Sequence, residues 1–326
     1  MAEHLVGARS DNTTRKYFSA FQKWEAFICS EGGNAIPAEP IHVAVYITSL
    51  LKEGASLSVI QSAIYAVKWA HGVRGLPDPT DNAFVKNLLE SAKRRPSKAV
   101  KGRDKISSDE IIQLCEKYDG SEDLLVLRDL AYIVISFAGF LRFNEMQSLR
   151  GSDICFYDDH MSLQLNKSKT DQHRKGSTVV LSRGESSACP LRVLKNYMEK
   201  AGINVGSDQF IFRPVFCTKG ARSLVRMNKK LSYTRARETV VARLKEVSCK
   251  PNLGLHSLRA GGASAAAKSA LPDRLWKRHG RWRSEKAKDG YVEESLEHLL
   301  STQPPVLCVL VVGQAVPKVN ILCITV

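Results

Sequence analysis

His256-Ser257-Leu258-Arg259-Ala260-Gly261-Gly262 opens an alanine-rich run that continues to Lys268. In a helix, a histidine and an arginine three residues apart share a face. The two glycines carry no side chain and permit close approach of another backbone. A helix start also favours anions, because its first N–H groups have no intrahelical partner. Taken alone, a His-x-x-Arg pair reads as an ordinary surface pair. Two downstream aromatic residues add weight to it: Trp282 comes 26 residues after His256, and Tyr291 comes 32 after Arg259.

Upstream, Leu124 to Leu141 is an unusually apolar stretch and predicts a buried helix. It closes on Gly139-Phe140-Leu141-Arg142-Phe143-Asn144-Glu145. An arginine directly after so many apolar residues must meet an anion or an internal partner, because an unpaired buried charge is strongly unfavourable. Glu145, three residues on, supplies the internal alternative. Between the two boxes, Met161–Leu165 and Ser177–Leu181 read as strands flanking a polar turn over 167–176, a hairpin. That turn carries three lysines, Lys167, Lys169 and Lys175. Downstream, His279 in His279-Gly280-Arg281-Trp282 offers a second imidazole, 12 residues before Tyr291.

The remainder of the chain is mostly helical. Tyr17, Phe21, Trp24 and Ile28 recur at helical spacing behind the cap candidates Asp11-Asn12-Thr13. Further helices are predicted over Pro40–Leu51, after Ser56 and around Phe84–Leu89, giving a four-helix domain over 10–95. Lys93 to Lys105 then holds seven basic residues and one acid, with Pro96, Ser97 and Gly102 interspersed. We read 96–106 as a basic linker suited to tracking a phosphate backbone. Ser107-x-x-Glu110 is a capping-box pattern that opens a second domain over 107–300. Later helices are predicted at Pro190–Lys200, Tyr233–Val247, His256–Lys268 and from Leu271-Pro272 to Gly280. Residues 301–326 form an apolar tail, which reads as a docking strand or a poorly specified end; Gly313-Gln314 and Pro317-Lys318 break it below the length of a membrane span.

Composition points the same way. The 326 residues carry 44% apolar and 25% charged residues, in the globular range, and a net charge of +15 with pI near 9.5. That surplus favours a polyanion, since neutralised phosphates release their condensed counterions. No two of the eight cysteines stand at C-x-x-C spacing, which argues against a zinc knuckle. With no secretory signal, they read as reduced thiols of an intracellular protein.

In order along the chain stand an arginine in a Gly-x-Leu-Arg-x-x-Glu box, a hairpin lysine, His-x-x-Arg, a His-or-Trp position and a tyrosine nine residues later. The sequence here resembles the tyrosine recombinase (phage integrase) family, in both its Xer-type and its eukaryotic mobile-element branches, over about residues 10–295. The resemblance implies a mainly α fold: an N-terminal four-helix, SAM-like core-binding domain, then a mostly helical catalytic domain with a small antiparallel sheet. It implies a site of Arg142, Lys169, His256, Arg259, Trp282 and Tyr291, with Glu145 in support. Arg142 and Arg259 would clamp the scissile phosphate, their planar forks matching its oxygens. Tyr291 would attack, forming a 3′-phosphotyrosyl intermediate. An ordinary phenol, with a pKa of about 10, is scarcely ionised at neutral pH, so His256 would take its proton. Lys169 best matches the hairpin lysine that protonates the departing 5′-oxygen; Lys167 and Lys175 compete with it. Trp282 stands nine residues before Tyr291, the family's interval, and is preferred to His279. Double-stranded DNA is the implied partner, with a homo-tetramer spanning two DNA sites, no membrane, no cofactor and no metal. The location would be intracellular, and nuclear in a eukaryotic host. A recombinase-derived DNA-binding protein without catalysis and a type IB topoisomerase are the competing readings.

Overall fold

Trp24 has no exposed surface and donates its Nε1–H to the Ala35 carbonyl at 3.1 Å. Around it, in a computed structural model that describes residues 9–95, 102–166, 176–218, 221–269 and 272–291, the chain divides into two units, Met1–Gly102 and Arg103–Val326. In the first unit the described helices are α1 (Asp11–Ser30), α2 (Pro40–Lys52), α3 (Leu57–Val73) and α4 (Ala83–Arg94). Phe21, Trp24 and Ile28 of α1 are the buried positions of the predicted stripe. They pack with Tyr46, Ile47 and Leu51 of α2 and with Ile60, Ile64 and Val67 of α3. Asn82 caps α4 by accepting the Val85 N–H at 3.0 Å. His71, buried on α3, is a core residue: its Nε2 accepts the Ala38 N–H at 2.9 Å, and its Nδ1 lies 2.8 Å from the Val67 carbonyl oxygen.

The second unit contains α5 (Ser108–Lys117), α6 (Leu124–Ala138), α7 (Phe143–Met146), β1 (Ile154–Phe156), β2 (His160–Leu165), β3 (Ser177–Ser182), α8 (Pro190–Ala201), β4 (Val215–Thr218), β5 (Ala221–Leu224), α9 (Tyr233–Leu244), α10 (Leu255–Lys268), α11 (Asp273–His279) and α12 (Glu285–Asp289). The capping box is made as read: Ser107 Oγ accepts the Glu110 N–H at 3.1 Å, and Glu110 accepts the Ser107 N–H at 2.7 Å. The predicted hairpin pairs antiparallel, Met161 opposite Leu181, and β1 adds to its other edge to give the order β1-β2-β3. β4 and β5 form a separate two-stranded ribbon. Neither β1 nor this ribbon was expected from the sequence.

α6 is the central element of the unit, buried from Leu124 to Ser136 except at Leu125. It holds an ion pair between neighbours in sequence: Arg128 Nη2 meets Asp129 Oδ1 at 2.7 Å, both side chains almost wholly buried. Two readings need adjustment. The helix stops at Ala138, not Leu141, because Phe140 turns into the left-handed region at φ +47°. The basic stretch read as linker to Ile106 is packed at its far end: the Ile106 N–H donates to the Ser257 carbonyl, and Ile106 is 1% exposed. Among the described residues no helix is long and apolar enough to cross a membrane. The tail over 301–326 lies outside them.

Candidate active site

The break after α6 builds the first part of the site. Phe140's left-handed turn releases the chain from the helix, and Arg142 becomes the cap residue of α7 in extended conformation. Glu145 holds it twice, accepting the Arg142 backbone N–H at 2.9 Å on Oε2 and its guanidinium Nη1 at 2.9 Å on Oε1. The internal ion pair allowed by the sequence is therefore made. Yet Glu145 is 2% exposed while the Arg142 side chain keeps 21% of its surface open, so the arginine retains donors facing outward. Burial alone would raise the Glu145 pKa. Arg281, the Arg142 N–H and the Arg142 charge outweigh it and hold the carboxyl below its usual range.

The glycines of the His-x-x-Arg box allow the second part. A Cβ on Gly261 would lie 2.1 Å from the Ile106 carbonyl oxygen, and one on Gly262 2.2 Å from that of Phe137. Only hydrogen at both positions lets α10 lie this close to Ile106, ahead of α5, and to the end of α6. That approach brings Arg259, with no exposed surface, to the Phe140 carbonyl, to which its Nη1 donates. Its Nη2 donates to the Gly280 carbonyl at 2.7 Å. Burial, then the charges of Arg142 and Arg281, push its pKa down to about 10, so it stays charged at neutral pH. His256, one turn earlier, is exposed to solvent at the helix start.

The third part is the segment from α11 to Tyr291. Trp282, 6% exposed, packs edge-on against Trp276 with ring centroids 5.6 Å apart. The ring of Tyr291 lies 5.3 Å from His256 and 5.2 Å from Trp282. The Arg259 guanidinium stands 4.7 Å from the Trp282 ring and 5.5 Å from the Tyr291 ring. Ser264 of α10 donates to the Tyr291 carbonyl at 2.7 Å, fixing the backbone that bears the phenol. Three residues before it, Lys288 is buried over the Trp276 ring and ion-paired with Asp273, Glu285 and Asp289; hydrogen bonds to Asp273 and Glu285 raise its pKa. His279 points elsewhere: its Nε2 lies 2.8 Å from the Ala138 carbonyl oxygen and its ring meets Phe140 edge-on. Of the two, Trp282 is the residue that lies against Tyr291.

Arg142, Arg259, His256, Trp282, Tyr291 and Glu145 thus meet in one place. Arg281 joins them, and sequence reading missed it. It looked like one more cation in a basic run; the signal was its position directly before Trp282, on a chain that must double back there. The guanidiniums of Arg142 and Arg281 share the Glu145 carboxylate, and Arg259 adds a third charge beside them. Both Arg259 Nε and Trp282 Nε1 are buried donors with no acceptor among the described residues. Such a surplus of positive charge and free donors suits an anion. Lys169, with its competitors Lys167 and Lys175, lies outside the described residues.

The fold and this cluster define a class: a helical protein with an arginine-rich site built around a tyrosine. No family model matches the chain. It is 26% identical over 297 residues to the integrase/recombinase XerD homolog of Selenomonas ruminantium, covering 89% of this chain and 84% of that protein. In structure it is similar to the XerH site-specific recombinase bound to palindromic difH substrate, with a TM-score of 0.59 at 15% identity, over 88% of this chain and 78% of that one. It is also similar to the Tn1549 transposon integrase in complex with transposon right-end DNA, with a TM-score of 0.57 at 11% identity, over 90% and 93% of the two chains. In sequence, then, the chain is similar to this XerD homolog, and in fold to these recombinase and integrase structures.

Proposed function

We propose that the chain is a site-specific DNA recombinase or integrase that cuts and rejoins strands through Tyr291. The Tyr291 oxygen attacks the scissile phosphorus, a 3′-phosphotyrosyl bond forms, and the bond to the 5′-oxygen breaks. The phenol proton passes to His256, and the departing 5′-oxygen takes a proton from the hairpin lysine, for which Lys169 is the candidate. A free 5′-hydroxyl of a second strand reverses both steps, so the bond energy is conserved and no nucleotide cofactor is consumed. Arg142 and Arg259 bind the phosphate oxygens, and Trp282 donates its indole N–H. Hydrogen bonds to a charged group contribute about 1.5–3 kcal/mol each, and more where charge builds up in the transition state. Two duplexes held by a homo-tetramer, in whichever compartment holds the DNA, complete the reading.

One observation carries it: the Tyr291 ring is packed on His256, Arg259 and Trp282 together, a phenol beside a proton acceptor, a charged donor and a neutral one. A duplex nicked near the cleavage point traps the covalent adduct, because the short fragment diffuses away. Wild type should shift to a protein–DNA band resistant to denaturant, while Tyr291→Phe binds the duplex but gives none. If wild type runs only as free protein in denaturant, the chain is a binder without chemistry. Relaxation of supercoiled plasmid with no recombinant product would favour the topoisomerase reading.

A further inference from the structure

Arg281 has φ +57°, a left-handed conformation uncommon for residues with a Cβ. Its side chain is 9% exposed, and its two terminal nitrogens serve two segments of chain. Nη1 donates to the carbonyls of His279 at 2.7 Å and Gly139 at 3.2 Å. Nη2 donates to the Phe140 carbonyl at 3.1 Å and to Glu145 Oε2 at 3.0 Å. The guanidinium therefore ties the turn that presents Arg142 to the turn that presents Trp282. It also occupies the Glu145 oxygen that does not face the Arg142 guanidinium.

We propose that Arg281 is a positioning residue for the strand-cleavage step, acting through Glu145 on Arg142. With Oε2 held by Arg281 and by the Arg142 backbone, Glu145 presents only Oε1 to the Arg142 fork. The remaining N–H groups of Arg142 stay available to a phosphate oxygen. Without Arg281, Oε2 keeps only the Arg142 backbone N–H, and the carboxylate can turn to engage that fork with both oxygens, the geometry a carboxylate prefers. Its charge, no longer balanced, would then also oppose the incoming phosphate. The inference rests on the reading of Arg142 as a phosphate ligand.

The test measures the rate of adduct formation on the nicked duplex at saturating full-length protein, together with melting temperature and duplex affinity. Arg281→Gly removes the fork where glycine is at ease in the left-handed backbone. It should cleave about 10- to 100-fold more slowly, with duplex affinity and melting close to wild type. In a Glu145→Gln background the same substitution should slow cleavage less than about threefold, because the charge it restrained is gone. Arg281→Lys, which keeps the charge but loses the fork, should fall between Arg281→Gly and wild type. Wild-type rate in Arg281→Gly, or equal slowing with and without Glu145, overturns the inference. If both Arg281 variants melt out, Arg281 is a clamp of the fold, and the inference is equally overturned. Absence of adduct from wild type would instead remove the reading on which it rests.

Discussion

Solvent reaches His256, yet the protein around its ring, and then the charges of Arg259 and Arg142, hold its pKa below the usual 6.5. Each of these favours the neutral ring, the form able to accept the Tyr291 proton. Below 6.5 the unfolded chain takes up a proton that the folded imidazole resists. This residue's contribution to stability is therefore present above 6.5 and is diminished as pH falls from there through the lower, folded value. Cleavage should show the same displacement: an acid limb lying below 6.5, measured as single-turnover adduct formation across pH 5 to 8. His256→Ala should lose that limb along with about a hundredfold or more in rate. A limb centred above 6.5 would contradict the role given to His256. At this scale the sequence was informative wherever a residue type had few other uses, as with an arginine behind a long apolar run or a tyrosine at a fixed interval from a tryptophan. Arg281 was hidden because its work depends on a backbone angle, and a basic residue among others shows no such angle in sequence.

Helices were the most readable elements, since their apolar faces repeat every three to four residues, and α1, α2, α8 and α10 lie close to where the pattern put them. The end of α6 was not readable: Leu141 continues the apolar run, but Phe140 has left the helix, and hydropathy does not sense a change of φ. β1, β4 and β5, of three or four residues each, are too short for an alternation to register. The glycines of α10 give a sharp test of how elements set the site. In an isolated helix, alanine is more favourable than glycine by about 1 kcal/mol. At Gly261 and Gly262 the added methyl group meets backbone oxygens at 2.1 and 2.2 Å, and neither oxygen belongs to a side chain that could turn away. The clash should win: Gly261→Ala and Gly262→Ala each lose about 1–3 kcal/mol in denaturant unfolding. Adduct formation should slow as well, because Arg259 would withdraw from the Phe140 and Gly280 carbonyls. An alanine variant as stable as wild type would show that α10 need not lie so close.

The net charge of +15 is a property of the whole chain, but the fold uses part of it internally. Of the cations between Arg213 and Lys250, Arg213 is buried against the carbonyls of Val225, Arg226 and Met227, and Arg243 pairs with Asp129 and Glu246. Arg222 pairs with Asp123 and Lys250 with Glu110. Arg226, Lys229, Lys230, Arg235, Arg237 and Lys245 remain exposed. Exposed cations are the ones that can exchange counterions for phosphates, so they, and not the total, set the salt dependence of DNA binding. Were all six to contact phosphates, affinity would fall at least about a thousandfold between 50 and 200 mM salt. Equilibrium binding by Tyr291→Phe, which separates association from the chemical step, measures that slope. Lys229→Ala and Arg237→Ala should each reduce its magnitude by about one unit while weakening all sequences alike. Removing a cation already ion-paired with a carboxylate, as in Arg222→Ala, should leave the slope unchanged. If Arg222→Ala flattens it as much as Arg237→Ala does, the division of charge between fold and DNA is wrong.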